Sequence, residues 1–449
     1  MTSSSLAENK ATVFESARTR SGAETNRLEI ADRPAHDWYR FVLSFPPHLV
    51  RDYLQRFDLK AKQCVLDPFC GTGTTLVECK KLGVASVGIE AHPMCHFASV
   101  TKLSWDVDAD RLEQAAIAVA ETALEILEEQ GIVDDPQPNL IREEPPKRGL
   151  LTLPAEADKL LLSQSISQLP LHKTLVLLDV MSKAAYCLPH MRLALAKALV
   201  GTISNLHFGP EVGVGPPKSD APVISTWLGI VLQIAHDLRK LRKQGKIRAV
   251  VHNADSREIG RFVPPRSIDA VITSPPYPNE KDYTRTTRLE TIILGFIRDK
   301  QSLRALKRTM LRSNTRGVYK EDADDRLVEG HAEIQRIARD IEARRIEMGK
   351  TSGFERLYAR VTKLYFGGMA RHLAQLRPLL RPGAQLAYVV GDQASYLRIM
   401  IRTGQIIASL AEELGYKVER IDLFRTRLAT ATKEQLREEV VVLRWTGTK

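Results

Sequence analysis

The sequence predicts an α/β protein built on a doubly wound sheet of about seven strands, with two mainly helical insertions. The first observation is an apolar run at residues 64–67, followed by a loop with two glycines, a helical stretch and a second apolar run ending at Glu90. This order of elements is typical of the opening of a doubly wound sheet. Five more apolar runs follow, at residues 247–255, 267–277, 384–392, 417–427 and 438–445. Long helical patterns separate these runs in two places.

Apolar periodicity and stop signals predict the helices of the sheet domain. After a Pro-Pro pair at residues 46–47, Leu49, Tyr53 and Phe57 recur at the spacing of one helix face. Residues 74–82 continue the glycine loop as a helix. A further helix at residues 367–380 ends at a Pro-Gly pair, which stops helices.

Composition divides the chain into six segments. Residues 1–30 are rich in Ser, Thr, Ala, Glu and Arg without periodicity, which predicts a disordered tail. The sheet domain is predicted to comprise residues 31–104, 247–299 and 357–449. Residues 105–246 are predicted to form a helical insertion and residues 300–356 a basic helical insertion, and either one is a candidate for target recognition.

Charge and composition narrow the class of protein. The 449 residues carry a net charge of +11, which favours a polyanionic partner, most simply nucleic acid. No apolar run is long enough to span a bilayer, so no membrane is expected. The five cysteines are odd in number and lack CxxC spacing, which predicts free thiols and a cytoplasmic location. His92, Cys95 and His96 lack a second ligand cluster, so no metal is predicted.

Three carboxylates stand at predicted strand ends, where open α/β sheets bind their ligands: Asp67, Glu90 and Asp255. Glu90 lies about twenty residues beyond the glycines, a spacing that suits a ribose diol. The loop reads Gly-Thr-Gly-Thr-Thr, which is neither a dinucleotide fingerprint nor a P-loop. An acid at Asp67 would repel phosphate and would suit a cationic ligand such as the sulfonium of S-adenosylmethionine.

At this point the residues resemble a known family. Residues 67–75, Asp-Pro-Phe-Cys-Gly-Thr-Gly-Thr-Thr, resemble the cofactor motif of the amino-group DNA methyltransferases, which modify N4 of cytosine or N6 of adenine. Residues 273–277, Thr-Ser-Pro-Pro-Tyr, resemble their catalytic motif in the form usual for cytosine-N4 enzymes. Residues 45–47 resemble the N-terminal cofactor motif, and residues 437–445 resemble the last strand. The cofactor motif precedes the catalytic motif, which resembles a permuted order and leaves the place of target recognition open.

The resemblance implies a Rossmann-like methyltransferase sheet, S-adenosylmethionine as cofactor and double-stranded DNA as substrate. It implies these cofactor-binding residues: Phe45, Pro46, Asp67, Pro68, Phe69, Gly71, Thr72, Gly73, Thr74, Glu90, Asp255 and Ser274. It implies these catalytic residues: Ser274, Pro275, Pro276 and Tyr277. A cognate restriction enzyme is a possible partner, and the enzyme is expected in the cytoplasm, associated with the nucleoid. The oligomeric state and the recognition sequence stay open.

The Ser-Pro-Pro-Tyr corner has a chemical rationale. An exocyclic amine is a poor nucleophile because its lone pair is delocalised into the ring, so acceptors aimed at its N–H groups favour the transition state. The Ser274 hydroxyl and the Pro275 carbonyl are the candidate acceptors, and Tyr277 is a candidate platform for an extruded base. Methylation at cytosine C5 would need a thiolate, typically after a proline, and none of the cysteines follows one.

Basic residues after the corner are candidates for DNA contact, with surface salt bridges or a solvated helix face as the alternative. The predicted DNA-binding residues are Arg285, Arg288, Arg304, Arg308, Arg312 and Arg316. The favoured reading is a site-specific cytosine-N4 DNA methyltransferase that works by base flipping and direct in-line transfer. The alternatives are an adenine-N6 DNA enzyme, then an RNA guanine-N2 enzyme, then a non-catalytic nucleic-acid-binding protein; a protein-glutamine enzyme would have Asn-Pro-Pro-Tyr.

Overall fold

One seven-stranded sheet organises the chain in the computed structural model, which describes residues 28–40, 44–134, 149–208, 211–242, 246–279, 281–428 and 435–447. The strands are β1 (Cys64–Asp67), β2 (Ala85–Glu90), β3 (Leu206–Phe208), β4 (Val212–Val214), β5 (Ala249–Asn253), β6 (Ile268–Thr273), β7 (Leu380–Gly391), β8 (Tyr416–Leu428) and β9 (Gln435–Trp445). The main sheet runs in the order β5-β2-β1-β6-β7-β9-β8, while β3 and β4 pair as a separate antiparallel hairpin.

The strand order reverses beside β1. From β1 the chain builds outward through β2 to β5, and then it returns to add β6 and β7 on the other side of β1. These five strands pair in parallel, while β9 lies antiparallel to both β7 and β8. The carboxyl ends of β1 and β6 are therefore neighbours at the point where open α/β sheets bind ligands. The predicted doubly wound fold is confirmed.

Local sequence explains where the two central strands stop. Strands β1 and β6 are short apolar runs that are buried almost throughout, as expected for strands in the middle of a parallel sheet. Pro275 and Pro276 follow β6 within three residues and cannot donate to a ladder. Gly73 has a φ of 85° and is the N-cap residue of the helix after β1, so the chain turns sharply at both strand ends.

Fifteen α-helices surround the sheet in the described part of the chain. They are α1 (Arg33–His36), α2 (Pro47–Arg56), α3 (Thr74–Lys81), α4 (Pro93–Leu103), α5 (Ala109–Glu129), α6 (Ala155–Asp158), α7 (Gln168–Lys183), α8 (Pro189–Ala198), α9 (Ile224–Leu241), α10 (Tyr283–Thr286), α11 (Arg288–Ile293), α12 (Lys300–Thr309), α13 (Ala332–Glu347), α14 (Tyr358–Leu376) and α15 (Thr403–Glu413). The predicted helix face of Leu49, Tyr53 and Phe57 is buried. No described helix is long and apolar enough to cross a membrane.

Both insertions share apolar cores with the sheet domain. Helices α5, α7, α8 and α9 contribute to the same cluster of buried residues as α3 and α4. Helix α13 contributes to a second cluster together with α14, α15 and strands of the sheet. The insertions are therefore packed onto the sheet domain, and the segment boundaries drawn from composition stay a prediction.

Two local features differ from the sequence analysis. Strand β5 ends at Asn253, so Asp255 instead caps the 3₁₀ turn Ser256–Arg261, where its side chain accepts from the Arg257 N–H. The stretch around β3 and β4 forms a hairpin within the insertion predicted to be helical. Three-residue strands are too short to show an alternating pattern. The predicted tail lies outside the described residues up to position 27.

Candidate active site

A cavity of about 220 Å³ brings the two motifs together. The loop after β1 and the corner after β6 both line it, although about 200 positions separate them in the sequence. The predicted site residues in its wall are Phe45, Pro68, Phe69, Gly71, Thr72, Thr74, Glu90, Ser274, Pro275, Pro276 and Tyr277. The two motifs lie close together because β1 and β6 are paired parallel strands that end at the same edge of the sheet.

The glycine loop is held against the end of β2. The Gly71 N–H donates to Glu90 Oε2 over 2.8 Å, and the His92 N–H donates to Glu90 Oε1 over 2.7 Å. Gly71 and Gly73 both have a positive φ, which favours glycine. A Cβ at Gly73 would lie 2.5 Å from Ser99 Oγ on α4, so the loop needs glycine there for space as well.

Asp67 lies beneath this loop and connects it to the catalytic corner. Its Oδ1 accepts from Thr273 Oγ1 over 2.6 Å and from the Phe69 N–H over 3.1 Å, while Oδ2 is buried without a hydrogen-bond partner among the described residues. Thr273 immediately precedes Ser274, so this one carboxyl bonds both motifs. Burial raises the pKa of Asp67 to about 6.

Ser274 is oriented by the neighbouring strand. Its hydroxyl donates to the Val389 carbonyl of β7 over 3.1 Å and also bonds the Tyr277 phenol, which leaves one lone pair on Oγ as an acceptor. The Pro275 carbonyl accepts no hydrogen bond from a described residue. The Tyr277 ring packs on Gly391, where an added Cβ would lie 3.0 Å from the ring. The corner therefore offers two acceptors beside an aromatic ring.

The residues around Glu90 fit S-adenosylmethionine. Each Glu90 oxygen accepts one backbone N–H and retains a lone pair for a ribose hydroxyl. Burial raises the pKa of Glu90 to about 7. Phe45 and Phe69 add aromatic surface to the same wall. These acceptors suit a cationic nucleoside better than a phosphate, and the buried carboxyl of Asp67 behind the loop adds to that preference.

Four predicted cofactor residues lie outside the described wall of the cavity, and the first is Asp67, which is buried beneath the glycine loop. Pro46 is the N-cap residue of α2, and its carbonyl accepts from the Leu49 N–H. Gly73 lies behind the loop, against Ser99. Asp255 is paired with Arg257, whose Nη2 lies 2.7 Å from Oδ2 and whose other nitrogen binds Asp324 at 2.7 Å. Their roles toward the cofactor stay predictions.

The structure also places residues at the site that the sequence analysis missed. His92, Lys281, Phe424 and Glu438 line the cavity. Lys102 is buried on α4 and donates to the Thr72 carbonyl of the glycine loop over 2.9 Å, and burial lowers its pKa to about 7. A lysine on an apolar helix and a phenylalanine in a strand give no distinctive sequence signal, so only tertiary contacts reveal them.

The six predicted DNA-binding arginines fall into two groups. Arg304, Arg308 and Arg316 are exposed. Arg312 is buried in a pair with Asp322, with both nitrogen–oxygen distances at 2.8 Å. Arg285 and Arg288 are half-buried, and Arg288 donates to Thr284 and to the Leu160 carbonyl. Exposure therefore favours the first three as phosphate contacts.

We expect substitutions of these arginines to separate DNA contact from folding. Replacing any one of the exposed arginines by alanine should make the slope of log DNA affinity against log salt concentration shallower by about one and leave the melting temperature unchanged. The three variants are Arg304→Ala, Arg308→Ala and Arg316→Ala. Arg312→Ala should instead lower the free energy of unfolding by about 3–5 kcal/mol, because it leaves the largely enclosed Asp322 carboxylate without its cation and with only the Tyr319 N–H as a donor. Fluorescence anisotropy at several salt concentrations and thermal melts measure the two effects. An unchanged salt dependence in all three exposed variants would remove this surface from the DNA interface.

Comparison with known proteins agrees with this geometry. The family model N6_N4_Mtase, described as a DNA methylase, matches residues 6–99. The type II methyltransferase M.BsoBI of Geobacillus stearothermophilus is 25% identical over 439 residues, which cover 91% of this chain and 84% of that protein. The type II methyltransferase M.AvaI of Nostoc sp. is 24% identical over 92% of this chain and 86% of its own.

A likeness to a solved structure is weaker. TrmN from Thermus thermophilus is 13% identical, and the match spans 92% of this chain and 52% of that one with a TM-score of 0.26. That superposition supports no conclusion, so the fold assignment depends on the strand order described above. The sequence relatives, by contrast, extend over nearly the whole chain, insertions included. The family model and the type II methyltransferase relatives support an amino-group DNA methyltransferase, a class of enzyme that uses S-adenosylmethionine, and the cofactor loop and the Ser-Pro-Pro-Tyr corner face one cavity as such an enzyme requires.

Proposed function

We propose that this DNA methyltransferase modifies the exocyclic N4 of cytosine in duplex DNA. The observation that carries the proposal is Ser274, which lines the same cavity as Glu90 with its hydroxyl proton directed to the Val389 carbonyl. Serine at this position of the motif is usual for the cytosine-N4 enzymes that the sequence resembles. The family assignment covers cytosine-N4 and adenine-N6 enzymes alike, so the identity of the base is the proposed step.

The corner is suited to make an amine nucleophilic. When bound, S-adenosylmethionine supplies an electrophilic methyl group. Ser274 Oγ and the Pro275 carbonyl accept from the two N–H groups of the target amine, which favours the pyramidal nitrogen and gives its proton an initial acceptor. The prolines keep these acceptors rigid. Because the reaction needs no covalent enzyme intermediate, positioning of the two reactants supplies much of the rate.

Access to the amine requires a base to leave the duplex. Tyr277 offers a ring face on which an extruded base stacks. Its carbonyl accepts from the Asn279 N–H over 2.8 Å, and its own N–H donates to the Tyr283 phenol oxygen. Phe424 contributes a second aromatic side chain to the same wall. Base–aromatic stacking is worth about 1–3 kcal/mol in proteins that bind single strands.

Partner and location follow from the same proposal. The net charge of +11 and the exposed arginines Arg304, Arg308 and Arg316 favour a DNA duplex as substrate. The full-length relatives are type II methyltransferases, so we infer that a restriction enzyme is the functional partner of this chain. Its place would then be the cytoplasm, on chromosomal DNA. A plasmid methylated by the enzyme should resist an endonuclease whose site contains the modified cytosine.

Product analysis tests the proposal. The purified protein is incubated with S-adenosylmethionine and unmethylated duplex DNA, which is then digested to nucleosides for mass spectrometry. We expect N4-methylcytosine, and none with total RNA as substrate. N6-methyladenine would contradict the assignment of the base while leaving the family intact. Methylated RNA without methylated DNA would contradict the proposed substrate.

A further inference from the structure

Lys281 places a cation at the catalytic corner that forms no direct ion pair with a described residue. It lines the cavity four residues beyond Tyr277 and is half-buried. Its ammonium makes no hydrogen bond or ion pair with any residue that the structure describes. Burial is the main cause that lowers the pKa of Lys281, and Arg427 lowers it further, while the charges of Glu211 and Glu438 offset part of this without touching the ammonium. A partly desolvated ammonium of this kind needs an acceptor.

The carboxylate of the cavity wall that could pair with Lys281 already binds two arginines. Glu438 also lines the cavity, but its Oε2 accepts from Arg425 Nε over 2.6 Å and its Oε1 lies 3.5 Å from Arg427 Nε. Both oxygens of Glu438 therefore contact arginines, and neither forms an ion pair with the Lys281 ammonium. The Lys281 ammonium is therefore available to donate a hydrogen bond to a ligand in the cavity.

The backbone of Lys281 is fixed on both sides. Its N–H donates to Asn279 Oδ1 over 2.9 Å, and its carbonyl accepts from Asn314 Nδ2 over 3.2 Å. The next residue, Asp282, caps α10 and binds Lys307 at 2.8 Å. The side chain of Lys281 is thus anchored at its base between the catalytic corner and the basic insertion, which limits the entropy lost when the ammonium binds an acceptor.

We propose that Lys281 selects the target base by donating to the acceptor edge of an extruded cytosine, an inference that rests on the proposed function. With the amine of the base on Ser274 and Pro275, the next positions along the cytosine edge are the acceptors N3 and O2. Beside its amine, adenine presents the acceptor N1 and then a C–H group, so it offers a lysine at this edge one acceptor where cytosine offers two. Thymine and guanine present an N–H donor next to their carbonyl, which an ammonium rejects.

Lys281→Met tests the proposal, because methionine keeps the length of the apolar stem and removes the donor. We expect kcat/KM on unmethylated plasmid DNA to fall about 10- to 100-fold, the range for one good base contact. The Kd for S-adenosylmethionine should stay within about twofold, which also shows that the variant folds. Lys62→Met is the matched control, since Lys62 is exposed just before β1, at the opposite edge of the sheet.

Salt dependence separates a base contact from a phosphate contact. If Lys281 reads the base, the slope of log kcat/KM against log salt stays at the wild-type value in Lys281→Met. A slope that becomes shallower by about one would overturn the proposal in favour of a phosphate contact. Wild-type kcat/KM in the variant would overturn it as well. Absence of N4-methylcytosine from the wild-type reaction would refute the proposed function itself, so the two failures are distinguishable.

A double-mutant cycle sharpens the test once the methylated sequence has been read from the product. The target cytosine is replaced by a C-linked 2-aminopyridine nucleoside, which keeps the amine and the ring nitrogen but lacks O2. If Lys281 donates to O2, this substrate and Lys281→Met should each reduce kcat/KM, and together they should reduce it little further. Independent, multiplicative losses would contradict the contact.

Discussion

Ser274→Ala should lower kcat for methyl transfer about 100- to 1,000-fold and leave the Kd for S-adenosylmethionine within about twofold. The magnitude is that of removing one preorganised group that stabilises charge in a transition state. The hydroxyl is preorganised because it donates to the Val389 carbonyl over 3.1 Å and bonds the Tyr277 phenol, which leaves one lone pair as an acceptor. Alanine removes this acceptor and adds no bulk to the cavity.

The measurement pairs steady-state kinetics with calorimetric titration of the cofactor. Ser182→Ala is the control, because this serine is exposed on α7 and its hydroxyl also donates to a backbone carbonyl, that of Asp179. The control should keep wild-type kinetics. If Ser274→Ala lost cofactor binding and turnover in equal proportion, Ser274 would be a structural residue of the cavity and the catalytic assignment would be wrong.

Glu90→Gln should raise the Kd for S-adenosylmethionine about 10- to 100-fold, as expected for the loss of charged hydrogen bonds. The glutamate accepts from the Gly71 and His92 N–H groups with one oxygen each. Glutamine has one acceptor oxygen, so its NH₂ group would face one of these donors and disturb the loop. Glu128→Gln, an exposed change on α5, is the control.

The same residue predicts how cofactor binding depends on pH. Burial raises the pKa of Glu90 to about 7 and that of Asp67 to about 6, so both carboxyls are largely protonated in the unliganded protein below these values. A cationic cofactor favours the ionised forms, and its binding therefore releases protons. The Kd should fall as pH rises from 5.5 to 7 and then level off. Glu90→Gln should remove the step near pH 7, and a Kd independent of pH in the wild type would contradict this assignment.

The stability of the unliganded protein should depend on pH in the opposite direction to its affinity for the cofactor. Glutamate ordinarily titrates near 4.5, so between about pH 4.5 and 7 the folded state holds more protons at Glu90 than the unfolded state does. The free energy of unfolding therefore falls with rising pH across this range. Cofactor binding offsets the loss, because it matches the ionised carboxylates with a positive charge.

Much of the sheet was predictable because its strands are short, apolar and followed by strong stop signals. Strand β1 coincides with the predicted residues 64–67, and β2 ends at Glu90 as predicted. The loop glycines and the two prolines interrupt the pattern at fixed points, which is why both motifs could be assigned to strand ends. The predicted strand β5 was two residues too long: the Ala254 N–H still donates to the Glu90 carbonyl of β2, but Asp255 already caps the following 3₁₀ turn.

The candidate site was less predictable wherever a role depends on which partner a side chain finds. Asp67 and Asp255 both follow apolar runs, yet one contacts Thr273 and the other is neutralised by Arg257. Arg308 and Arg312 lie four residues apart, yet the first is exposed and the second is buried on Asp322. Periodicity does not encode these pairings, since each partner lies in another element of the fold.

A crystal structure of the protein with S-adenosylhomocysteine would test most directly the claim that one cavity unites cofactor and target base. We expect the ribose hydroxyls within hydrogen-bonding distance of the Glu90 carboxylate, and the sulfur facing Ser274 and Tyr277 with room for a base between them. A cofactor bound away from Glu90, or with its sulfur turned from the Ser-Pro-Pro-Tyr corner, would contradict the account.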